Sequence, residues 1–384
     1  MQSSRQWQSI NKVPKEPQAS NRHPSTTEEY SVLPLHFVKA ITGRLALRAR
    51  TGSRNTFRTT NGPALRTTSI MCTGIGRDLR TDISNSNTEI GTLMSIMCLC
   101  VYENVVFSQP TAWLLHYDGL GRLMQARGPK PWRTPAERQI LQAARYYITL
   151  SAGHQRRHCF LDQPQWESTR CLPEGETPDK IDILYDIFAQ PPGIIADYDN
   201  IRKASVTDPA AVEVLRNRTQ LIIDKLYKWY RDMPWVCTTD PVTRGNSGIP
   251  LPDDPMECVA LAISYAMLLC LVQPCEYLDI PLFPENNMEA TSNIDQNSKN
   301  KFLALEICRF ANWALRGQAS ASYALLLVYP LQIAWFCVQN SEEDLRNVRV
   351  IMNSVVADSY GFELGRMRHW DETSLDEGRH GFLY

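Results

Sequence analysis

The stretch from Thr88 to Pro131 constrains the fold more than any other part of the chain. An uninterrupted apolar run, Ile90 to Val106, meets a polar break at Ser108–Gln109–Pro110, and a second apolar pattern follows from Trp113 to about Gln125. In that second segment Trp113, Leu120, Leu123 and Met124 recur at three- and four-residue spacing, which puts them on one stripe of a helix. Gly119 and Gly121 weaken the helix, and their expected use is to let another helix approach closely. Arg127–Gly128–Pro129 supplies a stop: a cation at the helix end, a glycine that tolerates positive φ, and a proline that cannot continue. The reading is two buried helices in a hairpin, a piece of core rather than of chemistry.

Downstream, helix starts share one punctuation. Thr134–Pro135–Ala136–Glu137 offers a capping hydroxyl, a proline and a glutamate three residues after the cap, opening a helix expected to reach Leu150. Thr177–Pro178 repeats the cap and proline ahead of Ile181, Leu184 and Phe188, with Pro191–Pro192 as the expected stop, and Asp254–Pro255 opens a helix from Cys258 to Val272. Ala210 to Met233 carries the cleanest stripe, Leu215, Thr219, Ile222, Leu226, Trp229 and Met233; it fits an internal packing face or a short coiled coil with a partner. Lys301 to Arg316, Ala319 to Val338 with Pro330 inside it, and a helix capped by Ser341 and ending near Gly361 complete the set. Helices are also expected over 30–50 and 63–80. Alternating β-branched runs are scarce, and neither a glycine-rich nucleotide loop nor a repeat is present. The fold class is all-α: about ten helices in an irregular layered bundle over residues 30–365. A division into lobes is placed near 234–253, residues 1–29 read as disordered or a linker, and 366–384 as a flexible tail.

Charge is uneven although the net value is −1. Residues 1–80 hold thirteen Lys and Arg against four Asp and Glu, a surplus of +9 that leaves −10 for the rest. The arginines from Arg44 to Arg80 read as a solvated face, with an acidic or phosphate partner as the alternative. Eleven cysteines, mostly in apolar contexts and without a C-x-x-C, fit buried free thiols better than zinc ligands or disulfides. The most membrane-like run, Gly317 to Ser341, is interrupted by polar residues and by Pro330, and reads as a buried helix; no membrane partner is expected.

Chemical motifs are thin. His154 and His158 are four apart, as two metal ligands on one helix face would be. The residue after the first is Gln155, however, not the glutamate a zincin helix needs, and no third ligand is signalled beyond nearby Asp162. Arg156 and Arg157 read as a solvated turn. His116 and Asp118, two apart, do not share a helix face, so His116 is expected to be a hydrogen-bonded structural histidine. No catalytic, metal or cofactor-binding residue is assigned. Asn217–Arg218–Thr219 is a glycosylation sequon inside an expected helix, where it would go unused.

An apolar helix ending in Tyr102–Glu103, followed by Trp113, His116, Gly119 and Arg127–Gly128–Pro129, resembles the fungal-specific transcription factor domain, the regulatory region of binuclear zinc-cluster activators. Tyr329–Pro330–Leu331 and the helix after it look like the C-terminal half of the same domain. The resemblance implies a nuclear regulator of metabolic or secondary-metabolite genes, with Trp113, His116, Gly119, Arg127, Gly128, Pro129, Pro330 and Leu331 in structural roles. Implied partners are the transcriptional machinery or a DNA-binding partner protein, with room for a homodimer. By the resemblance, Met94, Met97, Trp313 and Trp335 could line an apolar ligand pocket; the favoured reading of these residues is packed core. The family's six-cysteine zinc cluster does not precede the domain in these residues, whose first cysteine is Cys72. The expectation is therefore either a truncated gene model or a regulator that acts through another protein, without specific DNA binding of its own. Zinc is expected only with such a cluster. The rival reading is a biosynthetic enzyme with a helical apolar cavity.

Overall fold

The computed structural model describes residues 90–109, 111–129, 132–206, 208–233, 251–282, 296–316 and 321–367. All of them fall within one contact unit. The expected helices over 30–50 and 63–80, the Arg44–Arg80 segment, most of the 234–253 region and the tail beyond Met367 lie outside the described residues. Within the described residues the structure is helical and contains no strand.

The hairpin is present. Helix α1 (Ile90–Val106) packs on α2 (Ala112–Arg127), and α2 packs on α3 (Pro135–His154). The polar break is held from inside: the carboxylate of Glu103, 3% exposed, accepts from the Ser108 N–H at 2.6 Å and from its hydroxyl at 2.9 Å. A buried acid thus closes the turn that its own helix runs into. Leu120, Leu123 and Met124 are buried as their spacing requires. The two glycines divide. A methyl on Gly121 would touch Phe160 at 3.6 Å and Ile148 at 3.8 Å, so α3 does approach there, whereas one on Gly119 would meet nothing within 4 Å. The expected close approach at Gly119 is not made.

Gly128 ends α2 with φ 77° and ψ 172°, a conformation nearly confined to glycine, and its N–H caps the carbonyls of Met124 and Gln125. The Arg127 guanidinium lies 3.9 Å over the ring of Trp132, which is fully buried. At the start of α3, Thr134 and Glu137 form the expected capping box. The helix runs on past Leu150 to His154.

The middle of the molecule is three helices packed on one another: α8 (Pro255–Cys270), α10 (Gln296–Ala314) and α11 (Ala321–Cys337). Every residue of α8 from Cys258 onward is buried, and α11 is apolar on all sides, as a helix with no solvent face must be. No single helix among the described residues is long and apolar enough to cross a membrane, although α8 together with α9 (Val272–Leu278), bent by 42°, meets the composition.

Pro330 sits inside α11 without ending it. A proline has no N–H to give to the carbonyl four residues earlier, here that of Leu326. That carbonyl accepts instead from the hydroxyl of Tyr146 on α3 at 2.8 Å. Tyr146 is 1% exposed. The donor that α11 lacks is therefore supplied from α3, the helix that packs on the hairpin. Aromatic rings mark the same route: Trp113 meets Tyr117 and His154 at 5.1 Å, Tyr117 meets Tyr147 at 4.7 Å, and Phe188 meets Tyr329 at 5.4 Å.

Other expectations are corrected. The helix expected after Thr177–Pro178 is α5 (Lys180–Phe188), following a four-residue turn α4 (Ser168–Cys171). Its cap is Asp179, whose carboxylate accepts from the Asp182 N–H at 2.7 Å, and not Thr177. Pro191–Pro192 does not merely stop it; the pair opens α6 (Pro191–Lys203), where a missing N–H in the first turn costs nothing. The seam of α7 (Pro209–Arg231), with Met233 just beyond it, is buried within the chain itself, each of its six side chains under 5% exposed. The partner-coiled-coil alternative is thereby removed. Ser341 caps α12 (Glu342–Val350), which widens into a π-helix over Ile351–Ser359. The tail boundary at 366 is also too early: Arg366 pairs with Glu363 and Asp358, and Met367 is 3% exposed.

Candidate ligand cleft and the strap beside it

Where α3 ends, residues 155–163 cross the molecule as a strap, and three arginines and a histidine pin it. Arg156 takes φ 49°, the left-handed region that side chains avoid, and its guanidinium grips Asp199 of α6 in a two-pronged pair. Arg157 pairs with Asp118 of α2 at 2.5 Å, and His158 Nε2 lies 2.8 Å from Asp197 of α6. Arg218 of α7 pairs with the other oxygen of Asp197 and stands 3.6 Å from Asp162. Arg156 and Arg157 are thus paired to separate helices, the first half-buried and the second exposed. His154 and His158 part company: the first meets the Trp113 ring edge-on and the second turns to Asp197. Among the described residues no group of three or more His, Cys, Asp or Glu side chains could hold a metal ion.

Between α2, α3 and the strap lies a cleft of about 280 Å³. Its floor is apolar, made by Ile148, Ala152, Phe160 and the bare face of Gly121. Its rim carries Arg122, Gln125, Gln155 and Arg157, all exposed. Asp118 sits between floor and rim and accepts from the Ser151 hydroxyl at 2.6 Å, the Gln155 amide at 3.1 Å and Arg157. Burial alone would raise its pKa; the donors outweigh burial and hold the carboxyl below the ordinary value. Asp118 is therefore held as an anion, with three donors on Oδ1 and the Gln155 amide also reaching Oδ2 at 3.1 Å. Arg122 has no ion-pair partner among the described residues.

Beneath the cleft, the Tyr117 hydroxyl donates to Asn104 Oδ1 at 3.0 Å, while the buried amide nitrogen of Asn104 has no partner among the described residues. Cys159, at the cleft wall, is pushed up to about 11 by burial, which keeps it a thiol at neutral pH. All nine described cysteines are free, seven of them buried; burial raises Cys270, Cys275, Cys308 and Cys337 to about 12.

The residues singled out in the sequence do not gather at this cleft. Trp113, Arg127, Gly128, Pro330 and Leu331 hold the frame described above. His116 is half-buried and makes no hydrogen bond among the described residues, contrary to expectation; burial lowers its pKa, against the field of Glu103. Met94, Met97, Trp313 and Trp335 do not line the cleft: Trp313 Nε1 donates to the Pro252 carbonyl at 2.8 Å, and the Trp335 ring packs on Phe336. Sequence reading missed Arg122, Gln125 and Arg157 because their partners lie more than thirty residues away or are absent. Only the Ser151–Gln155 pair, one helical turn apart, was within reach of a local pattern.

No family model matches the chain. The uncharacterized protein AN5342 of Emericella nidulans is 30% identical over 95 residues, which is 25% of this chain and 20% of that protein. The chain thus matches about one-fifth of that relative's length. No solved structure matches.

Proposed function

We propose that this chain is a regulatory domain of the fungal-specific transcription factor type, working by protein–protein contact in the nucleus on a metabolic or secondary-metabolite gene set. One observation carries the reading. The residues behind the resemblance occupy positions that only a structural role explains: Gly128 at a φ nearly confined to glycine, Arg127 stacked on buried Trp132, and Pro330 coupled through Leu326 to Tyr146. Such residues define a scaffold rather than a reaction. The helical architecture is consistent with it, and the strap's charges are spent on one another. DNA reading is assigned to a partner protein, or to a zinc cluster encoded in frame upstream.

Deleting the gene and profiling transcripts tests this. A regulator changes the level of a defined transcript set in the deletion strain, restored by the intact gene. Unchanged transcripts with accumulation of one metabolite would instead mark an enzyme and defeat the proposal.

A further inference from the structure

The charge balance of the cleft selects among ligands. Arg157 and Asp118 neutralise each other, and Asp118 Oδ1 already accepts from Ser151, Gln155 and Arg157. Arg122 then leaves the rim with one uncompensated positive charge, and Gln125, three residues on, adds amide donors on the same side of α2. A cation would meet two guanidinium groups. A bare inorganic anion would find no helix N-terminus, since the cleft faces the middle of α2 and the C-terminal end of α3, and would leave the apolar floor wet. A neutral apolar molecule would cover the floor but leave Arg122 unused.

We propose that the cleft binds a small carboxylic acid with a compact apolar body, its carboxylate on Arg122 and Gln125 and its body on Phe160, Ile148 and Gly121. A guanidinium matches a carboxylate in two-pronged geometry. Sites for drug-sized ligands run from about 300 to 1,000 Å³, so a cleft of about 280 Å³ takes a smaller molecule, of the size of benzoate. Gly121 is essential to the floor: a methyl there would stand 3.6 Å from the Phe160 ring, filling the space without a clash. The site requires nothing of the regulatory reading, because binding is measured on the purified chain and transcription in the cell.

Titration calorimetry of the full chain with benzoate and octanoate, and with benzamide as the uncharged control, tests the site. At least one acid binds, and benzamide binds at least tenfold more weakly than benzoate. Arg122→Gln weakens the acid at least tenfold with an unchanged thermal midpoint, since that guanidinium holds no other described side chain. Gly121→Ala weakens it as well, without loss of fold. The site is overturned if neither acid binds at about 10 mM, where a Kd of about 1 mM would give nine-tenths occupancy. Equal affinity for benzoate and benzamide, or wild-type affinity in Arg122→Gln, overturns it equally.

Discussion

Two residues show how local chemistry is answered from a distance. Pro330 deprives the Leu326 carbonyl of its helical donor, and Tyr146 replaces it. Removing the hydroxyl in Tyr146→Phe leaves a buried carbonyl unsatisfied and should cost about 1–3 kcal/mol in urea unfolding. In a Pro330→Ala background the same change should cost much less, because alanine restores the N–H; a double-mutant cycle reads the difference. Strictly additive effects would show that the two residues are not coupled. Asp118 yields a pH test. Its folded pKa is lowered, so its contribution is present above the unfolded value of about 3.9 and is lost as pH falls through the folded one. Asp118→Asn should therefore be less stable than wild type at pH 7, by about 1.5–3 kcal/mol at most, since the group is partly solvated. The gap should narrow as pH falls below the unfolded value and through the lowered folded one, where the wild-type carboxyl protonates as well. A gap that holds or widens in acid would contradict the assignment.

At the scale of elements, the seam of α7 decides a question that its sequence left open. A four-and-three repeat serves equally for a partner helix and for the chain's own core. The structure buries Leu226 to 2% exposure with no partner present. Leu226→Ala should thus destabilise the chain by about 2–5 kcal/mol and leave its sedimentation behaviour unchanged. Dissociation of a dimer at equal stability would restore the coiled-coil reading. Capping chemistry explains which boundaries were legible. Thr134 with Glu137 and Asp254 with Pro255 signal their helices through atoms within four residues, and both starts stand. Thr177 misled because Asp179, two residues later, competes for the same task with a stronger acceptor and a matching Asp182. Pro191–Pro192 misled because the same pair that ends one helix is tolerated in the first turn of the next. The π-helical widening after Val350 left no pattern at all, since it depends on what packs against it.

Over the whole molecule, the core was readable and the surface site was not. Periodicity locates α2, and the length of the apolar run locates α1, α8 and α11, because burying apolar surface is the largest favourable term a helix can offer. The cleft depends instead on charges brought together from residues 118 to 160, and pairing across such distances has no sequence period. In the proposed function, the hairpin, the proline carbonyl and the ion-paired strap serve as a scaffold that presents surfaces for contact. That is the claim on which the function rests, and it is tested most directly by fusing the full chain to a heterologous DNA-binding domain upstream of a reporter. The account predicts a change in reporter output, up or down, that disappears when Gly128→Val disrupts the end of α2. Output identical to that of the DNA-binding domain alone, from a fusion shown to be folded and nuclear, would contradict it.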